Sequence, residues 1–293
     1  MNFAGCGTAL VTPFQADLSL DEAALRQLVR RQVEAGIHFL VPCGTTGESP
    51  TLTRREHLRV VEITLEEAGG RAPVVAGCGG YNTAEVIALA RELEAMGVDA
   101  LLSVTPYYNK PTQAGLYEHY RAIAFETKLP VIVYSVAGRT GVNVEPATVV
   151  KLAGLPNVRA IKEASGNVAQ MAAICARVPA EFSVLAGDDA LALPLAALGG
   201  RGVISVVSNQ IPGPMAQLAR HLLSGDFAAA LALHNRWLPL MEVNFVESNP
   251  IPVKYALSRM GLCQPVWRLP MTPPSPAAAA RISEVLKELK LIP

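Results

Sequence analysis

The sequence predicts an α/β protein, a (β/α)8 TIM barrel followed by a C-terminal helical extension, and three observations carry that expectation. Short apolar runs alternate with longer helical patterns eight times in succession. The runs are apolar throughout rather than alternating, as parallel strands covered by helices require. Glycine recurs where a helix ends and a strand begins, in Ala35-Gly36-Ile37, Met96-Gly97-Val98 and Gly200-Arg201-Gly202-Val203, where a left-handed cap is needed. A length of 293 residues would allow two average domains, but barrels of this kind run to about 250 residues as one. Eight units in one domain favour a closed barrel over the competing doubly wound open sheet.

The first strand is read at Leu10-Val11, ending at Thr12-Pro13. A helix over 21–35 follows, because Leu25, Leu28, Val29, Gln32 and Val33 recur at helical spacing, with Ser19 as its cap. The cycle then repeats: strand 39–41, helix 54–68, strand 74–76, helix 84–96, strand 100–104, helix 115–127, strand 131–134 and helix 146–152. Strand 158–161, helix 168–177, strand 183–186, helix 190–198, strand 203–206 and helix 213–223 complete it. Beyond Gly225 the strand runs cease, and 227–243, 252–260 and 277–290 read as helices around a proline-rich connector at 264–276. The chain is therefore divided into a barrel catalytic domain, 1–224, and a helical extension, 225–293. The extension serves either as cover for the barrel helices or as an assembly surface.

Composition narrows the function. Hydrophobic residues make up 51% of the chain and charged residues 17%, enough apolar surface for one large core. Lys plus Arg and Asp plus Glu both number 25, so no basic field exists to attract nucleic acid or a membrane surface. A net charge near zero favours self-association. The five cysteines are scattered and form no C-x-x-C pair, against a disulfide framework or a structural zinc site. Met1-Asn2-Phe3-Ala4 carries no positive leader region, and the longest apolar stretch, 190–198, is too short to span a bilayer and contains Pro194. The expectation is a cytoplasmic protein.

Reactive groups of a barrel gather where strands end. Those ends carry Thr45 and Thr46 in Gly44-Thr45-Thr46-Gly47-Glu48-Ser49, Tyr107 and Tyr108, Tyr134 followed by Arg139, Lys162, Asp188-Asp189, and Ile204-Ser205. No His and carboxylate cluster with metal spacing falls there, and Gly77-Cys78-Gly79-Gly80 lacks the last glycine of a dinucleotide fingerprint. No cofactor or metal is expected. Lys162 ends an apolar strand, so its amine is expected in the barrel mouth, where apolar walls disfavour the ammonium form. A neutral amine attacks a ketone to form an iminium, an electron sink for the neighbouring carbon. The alternative is a lysine leaving its strand for solvent. Tyr134, on the adjacent strand, can pass protons to and from such intermediates, or be a packing residue. Thr45 can extend a hydroxyl relay, and its turn can hold a carboxylate on backbone N–H groups or be a plain rim turn. Arg139 suits a carboxylate, or is a solvated loop residue.

Together these motifs, with Tyr107-Tyr108-Asn109-Lys110-Pro111, Arg139-Thr140-Gly141, Lys162-Glu163-Ala164-Ser165-Gly166 and the stretch from Phe245 to Lys254, resemble the dihydrodipicolinate synthase family of pyruvate aldolases. The similarity runs in order over nearly the whole chain. The resemblance implies that Lys162 forms a Schiff base with pyruvate and that Tyr134, Thr45 and Tyr108 make up a proton relay. Thr46 and the Ile204 backbone would hold pyruvate, and Arg139 the carboxylate of aspartate semialdehyde. The product implied is 4-hydroxy-tetrahydrodipicolinate, on the diaminopimelate route to lysine. Tyr108 would come from a neighbouring subunit, implying a homotetramer built as a dimer of dimers.

Two departures stand out: Ser135 and Ala137 replace the Asn and Pro usual between the tyrosine and the arginine. Ser49, His57, Glu85 and Tyr107 resemble the family's lysine-regulatory site, whereas Pro50, Arg54 and Tyr81 depart from that of lysine-sensitive members. The nearest rival is a sugar-acid aldolase of the same superfamily, such as an N-acetylneuraminate lyase, which Arg139-Thr140-Gly141 argues against. A catalytically silent keto-acid sensor is the rival from another class. The intact hydroxyl set argues against it, since a sensor needs no proton relay.

Overall fold

The computed structural model describes residues 3–293, so Met1 and Asn2 of the N-terminal stretch lie outside the described residues. Eight strands make one parallel sheet among them: β1 (Gly5–Ala9), β2 (Phe39–Val41), β3 (Val75–Gly77), β4 (Ala100–Val104), β5 (Val131–Ser135), β6 (Val158–Glu163), β7 (Ser183–Ala186) and β8 (Gly202–Ser205). Their order is β2-β1-β8-β7-β6-β5-β4-β3. The ends of that order meet through a Leu40–Val74 bridge and bonds from Leu40 N to Pro73 O (2.8 Å) and Gly77 N to Pro42 O (2.9 Å). The sheet thus closes into a (β/α)8 barrel.

Helices α1 (Glu22–Glu34), α2 (Arg54–Ala68), α3 (Thr83–Met96), α4 (Gln113–Glu126), α5 (Ala137–Thr140), α6 (Pro146–Ala153), α7 (Val168–Cys175), α8 (Ala192–Ala197) and α9 (Pro212–Ser224) follow the strands. α10 (Phe227–Val243), α11 (Ile251–Arg259) and α12 (Pro276–Glu288) come after them with no further strand. Capping explains most boundaries. Thr53 and Glu56 form a reciprocal capping box at the start of α2, and Gly97 closes α3 at φ 83°. Two apolar layers result. Phe39, Val75, Leu102, Ile132, Leu185 and Ile204 fill the barrel interior, while a larger cluster lies between the strands and the helices.

The first strand departs from expectation. It is Gly5–Ala9, and Leu10-Val11 follows it as loop. Its two glycines and its threonine disguise an apolar run. Gly7 is required by the packing, because a Cβ there would fall 2.0 Å from the Phe39 ring. Asp21, not Ser19, caps α1, its carboxylate accepting from Ala24 N, while Ser19 is engaged with Asp17. The helix expected over 190–198 begins as a 3-10 turn, Asp189–Leu191, before α8.

One irregularity sets the register of β5 against β6. Val131 pairs with Val158, but Ile132 pairs with Ala160, so β6 gains one residue at a bulge. Arg159, at that shift, is exposed. Beyond it Tyr134 faces Lys162. Without the slip Tyr134 would face Ile161 and the lysine would turn to the opposite side of the sheet.

Candidate active site

Lys162 and Tyr134 sit at matched heights on adjacent strands. Both are buried, at 5% and 6% exposure. The Lys162 Nζ lies 4.2 Å from the centre of the Tyr134 ring. Among the described residues no carboxylate pairs with this amine. Space for it comes from Gly187, after β7: a Cβ added there would come within 2.6 Å of Ala164 Cβ and 3.2 Å of Lys162 Cε. The neighbouring Glu163 points the other way and accepts from Gln170 Nε2 at 2.9 Å. Burial raises its carboxyl above the ordinary range.

The turn after β2 supplies the threonines. Cys43 (φ 56°) and Glu48 (φ 51°) bracket it in the left-handed region, a conformation that costs on the order of 1 kcal/mol for a residue with a side chain. The surroundings hold it there. Thr12 Oγ1 donates to Gly47 O at 2.7 Å, and the Glu48 carboxylate binds the buried Lys254 ammonium at 2.5 Å. Thr45 faces a cavity of about 320 Å³ whose wall also includes Tyr134, Arg139, Tyr107, Ser49 and His57. Lys162 is not part of that wall, so Tyr134 is the surface shared by the cavity and the amine. Burial pushes the His57 imidazole down to about 4, leaving it neutral, with Nε2 bonded to Gly77 O.

Thr46, behind Thr45, is 2% exposed and accepts from Asn249 Nδ2 at 2.9 Å. Arg139 lies in the one-turn helix α5, exposed, with Nη2 donating to Asn249 O at 3.2 Å. Ser135, one of the departures, is fully buried and its hydroxyl accepts from Val144 N, which ties down the chain after α5. Ile204 is sealed inside the barrel. The Asp189 carboxylate fastens the turn after it, accepting from Val206 N at 3.0 Å and Val207 N at 2.9 Å.

The structure therefore brings Lys162 to Tyr134, and Thr45, Tyr134 and Arg139 to one cavity. Tyr108 stands apart, 91% exposed with φ 63°, and among the described residues no hydrogen bond joins Thr45, Tyr108 and Tyr134. Sequence reading missed Asn249, Gly187 and the Glu48–Lys254 pair. Each acts through a contact between segments separated in the chain, and the signal was that Glu48, Asn249 and Lys254 fall in motifs shared with the family.

The dihydrodipicolinate synthetase family matches residues 2–289. The chain is 52% identical over 289 residues to the 4-hydroxy-tetrahydrodipicolinate synthase of Koribacter versatilis, across 98% of this chain and 96% of that protein. Its structure is similar to that of dihydrodipicolinate synthase from Thermotoga maritima, with a TM-score of 0.97, 43% identity and 100% of both chains covered. It is equally similar to a monomeric dihydrodipicolinate synthase variant, at a TM-score of 0.97 and 43% identity over 99% of this chain and 98% of that one.

Proposed function

The chain belongs to the dihydrodipicolinate synthetase family, and we propose that the sealed Lys162–Tyr134 pair is where it carries out that family's reaction. The activity is that of a 4-hydroxy-tetrahydrodipicolinate synthase, a lyase that condenses pyruvate with L-aspartate 4-semialdehyde through a Schiff base, in the diaminopimelate route to lysine.

The free Lys162 amine adds to the pyruvate carbonyl and the adduct loses water, leaving an iminium. The iminium draws electrons from the pyruvate methyl group, which gives up a proton to become an enamine. The enamine carbon then bonds to the aldehyde carbon of the second substrate, whose oxygen takes up a proton, and the amino group of that substrate displaces Lys162 from the regenerated iminium, which closes the ring and frees the enzyme. Each step needs a proton moved at oxygen, at nitrogen or at the pyruvate methyl carbon, and the Tyr134 phenol beside the amine is the group that moves it. Thr45 continues this relay at the cavity wall. Thr46 and the Ile204 backbone hold the pyruvate carboxylate, and Arg139 holds that of the semialdehyde with a charge-assisted pair.

Tyr108 completes the relay from a second copy of the chain in a homotetramer. Its 91% exposure and its left-handed backbone, in a loop beside the cavity, support that assignment. The cytoplasm is the compartment we infer for this biosynthetic step. The alternating strand-helix units up to α9 form the catalytic domain, and the helices from 225 onward form its extension.

The observation that carries this reading is the in-register contact of a buried, unpaired amine with a buried phenol. Borohydride reduction in the presence of pyruvate should add the mass of the reduced adduct at Lys162. Label trapped by Lys162→Ala at the wild-type level would remove the Schiff-base assignment. Turnover of aspartate semialdehyde should exceed cleavage of any sugar acid.

A further inference from the structure

We propose that Asn249 is a positioning residue for the condensation: its carboxamide holds the Thr46 hydroxyl so that the hydroxyl proton is aimed at the carboxylate of the keto acid. The inference rests on the reading that Thr46 holds pyruvate.

Asn249 belongs to the segment between α10 and α11, 203 residues from Thr46, and is 5% exposed. Its Nδ2 donates to Thr46 Oγ1 at 2.9 Å. A hydroxyl has one proton and two lone pairs. With an amide hydrogen in one lone pair, the Thr46 proton must point off that axis. Among the described residues nothing accepts it. A buried donor left without an acceptor costs about 1–3 kcal/mol, and that cost is relieved if the acceptor arrives with the substrate. A carboxylate is such an acceptor, and its charge strengthens the bond. The geometry also restrains its source. Thr46 adjoins Thr45 of the cavity wall, and the Asn249 main-chain carbonyl receives Arg139 Nη2 at 3.2 Å. One residue of the extension therefore touches both Thr46, the proposed keto-acid contact, and Arg139, the proposed semialdehyde contact.

Asn249→Asp keeps the shape but leaves only acceptors, so it takes the Thr46 proton for itself. The main-chain carbonyl to Arg139 is unchanged. The experiment is a double-mutant cycle between position 249 and Thr46→Val, read as KM for pyruvate and KM for the semialdehyde, with Thr46→Ser as the conservative control.

Thr46→Val and Asn249→Asp should each raise KM for pyruvate about tenfold or more, the weight of a hydrogen bond to a charged group. The KM for the semialdehyde should stay within about twofold, a change too small to count as a lost contact. Asn249→Asp should add nothing further in the Thr46→Val background, and Thr46→Ser, which keeps the hydroxyl, should recover most of the pyruvate KM lost in Thr46→Val. If Asn249→Asp costs as much in the Thr46→Val background as alone, the effect is charge or general disturbance, and the inference fails. If Thr46→Val leaves KM for pyruvate unchanged, the reading of Thr46 as the keto-acid contact fails and takes this inference with it. Should the Asn249→Asp protein not fold, Asn249→Ala in the same cycle gives the same discrimination, because it removes the amide and keeps the carbonyl.

Discussion

Glu48 and Lys254, 206 residues apart in the chain, form an ion pair at 2.5 Å with side-chain exposures of 1% and 0%. Glu48 ends the threonine turn after β2, and Lys254 lies on α11 of the extension. Both the Lys254 ammonium and the Arg268 guanidinium lie over the ring of the buried Phe14, at 4.3 and 4.2 Å. Arg268 N also donates to the second Glu48 oxygen at 3.3 Å. Burial lowers the Lys254 pKa despite the carboxylate beside it, so desolvation outweighs the attraction. Removing one partner would leave the other charge buried and uncompensated.

Lys254→Met should therefore destabilise the protein by about 3–5 kcal/mol, because it strands a buried carboxylate. The double variant with Glu48→Gln should lose less than the two single variants combined. Urea denaturation of the four proteins measures both. Additive losses would mean that the two groups do not depend on each other.

Tyr134→Phe should leave stability near wild type, since among the described residues no hydrogen bond to the phenol holds the fold together. Turnover should fall by roughly a hundredfold to ten-thousandfold, the range of a general acid–base. Steady-state kinetics beside a thermal melt separates the two effects. Near-normal turnover would move the proton transfer to another group.

Arg139→Ala should raise KM for the semialdehyde by about 1.5–3 kcal/mol in binding terms, the loss of one charge-assisted contact. Borohydride trapping of pyruvate should stay at the wild-type level if, as proposed, the guanidinium serves the second substrate only. Impaired trapping would place Arg139 in the first half-reaction.

Gly187→Ala tests the space behind the lysine. Its Cβ would crowd Ala164 at 2.6 Å and Lys162 Cε at 3.2 Å, and overpacking of that size costs about 1–3 kcal/mol. Pyruvate trapping should slow even though Lys162 is present. Mass spectrometry after a timed borohydride quench reads that directly.

Asp189 gives a pH signature. Burial raises its carboxyl to about 6 from an ordinary 3.8, so the folded state holds a proton that the unfolded chain releases. Its contribution to stability is present below about pH 4 and is lost as pH rises through 6. Asn at this position can still accept from Val206 N and Val207 N but cannot ionise. Asp189→Asn should therefore gain stability relative to wild type between pH 4 and 6 and keep a constant margin above. Chemical denaturation at pH 4.5 and 7 compares them. A margin that does not change with pH would contradict the raised carboxyl.

The strand-helix alternation was legible because a barrel strand is apolar along its whole length and each helix keeps its own period. α2 and α10 match their expected limits, and β2, β4 and β7 match theirs. β1 was misplaced because Gly5 and Gly7 serve close packing, which no local pattern reports. Strand-end position, read with the family resemblance, picked out Lys162, Tyr134, Thr45 and Arg139 as candidates. It did not reveal Asn249, whose role depends on two contacts with residues more than 100 positions away.

By itself the sequence determined the barrel, its alternation of strands and helices, and which side chains sit at strand ends, because these follow from periodicity and from where apolar runs stop. The tertiary structure alone decided that Lys162 meets Tyr134. That meeting depends on one extra residue bulged out at Arg159, and strand register is a property of two paired chains, not of either one.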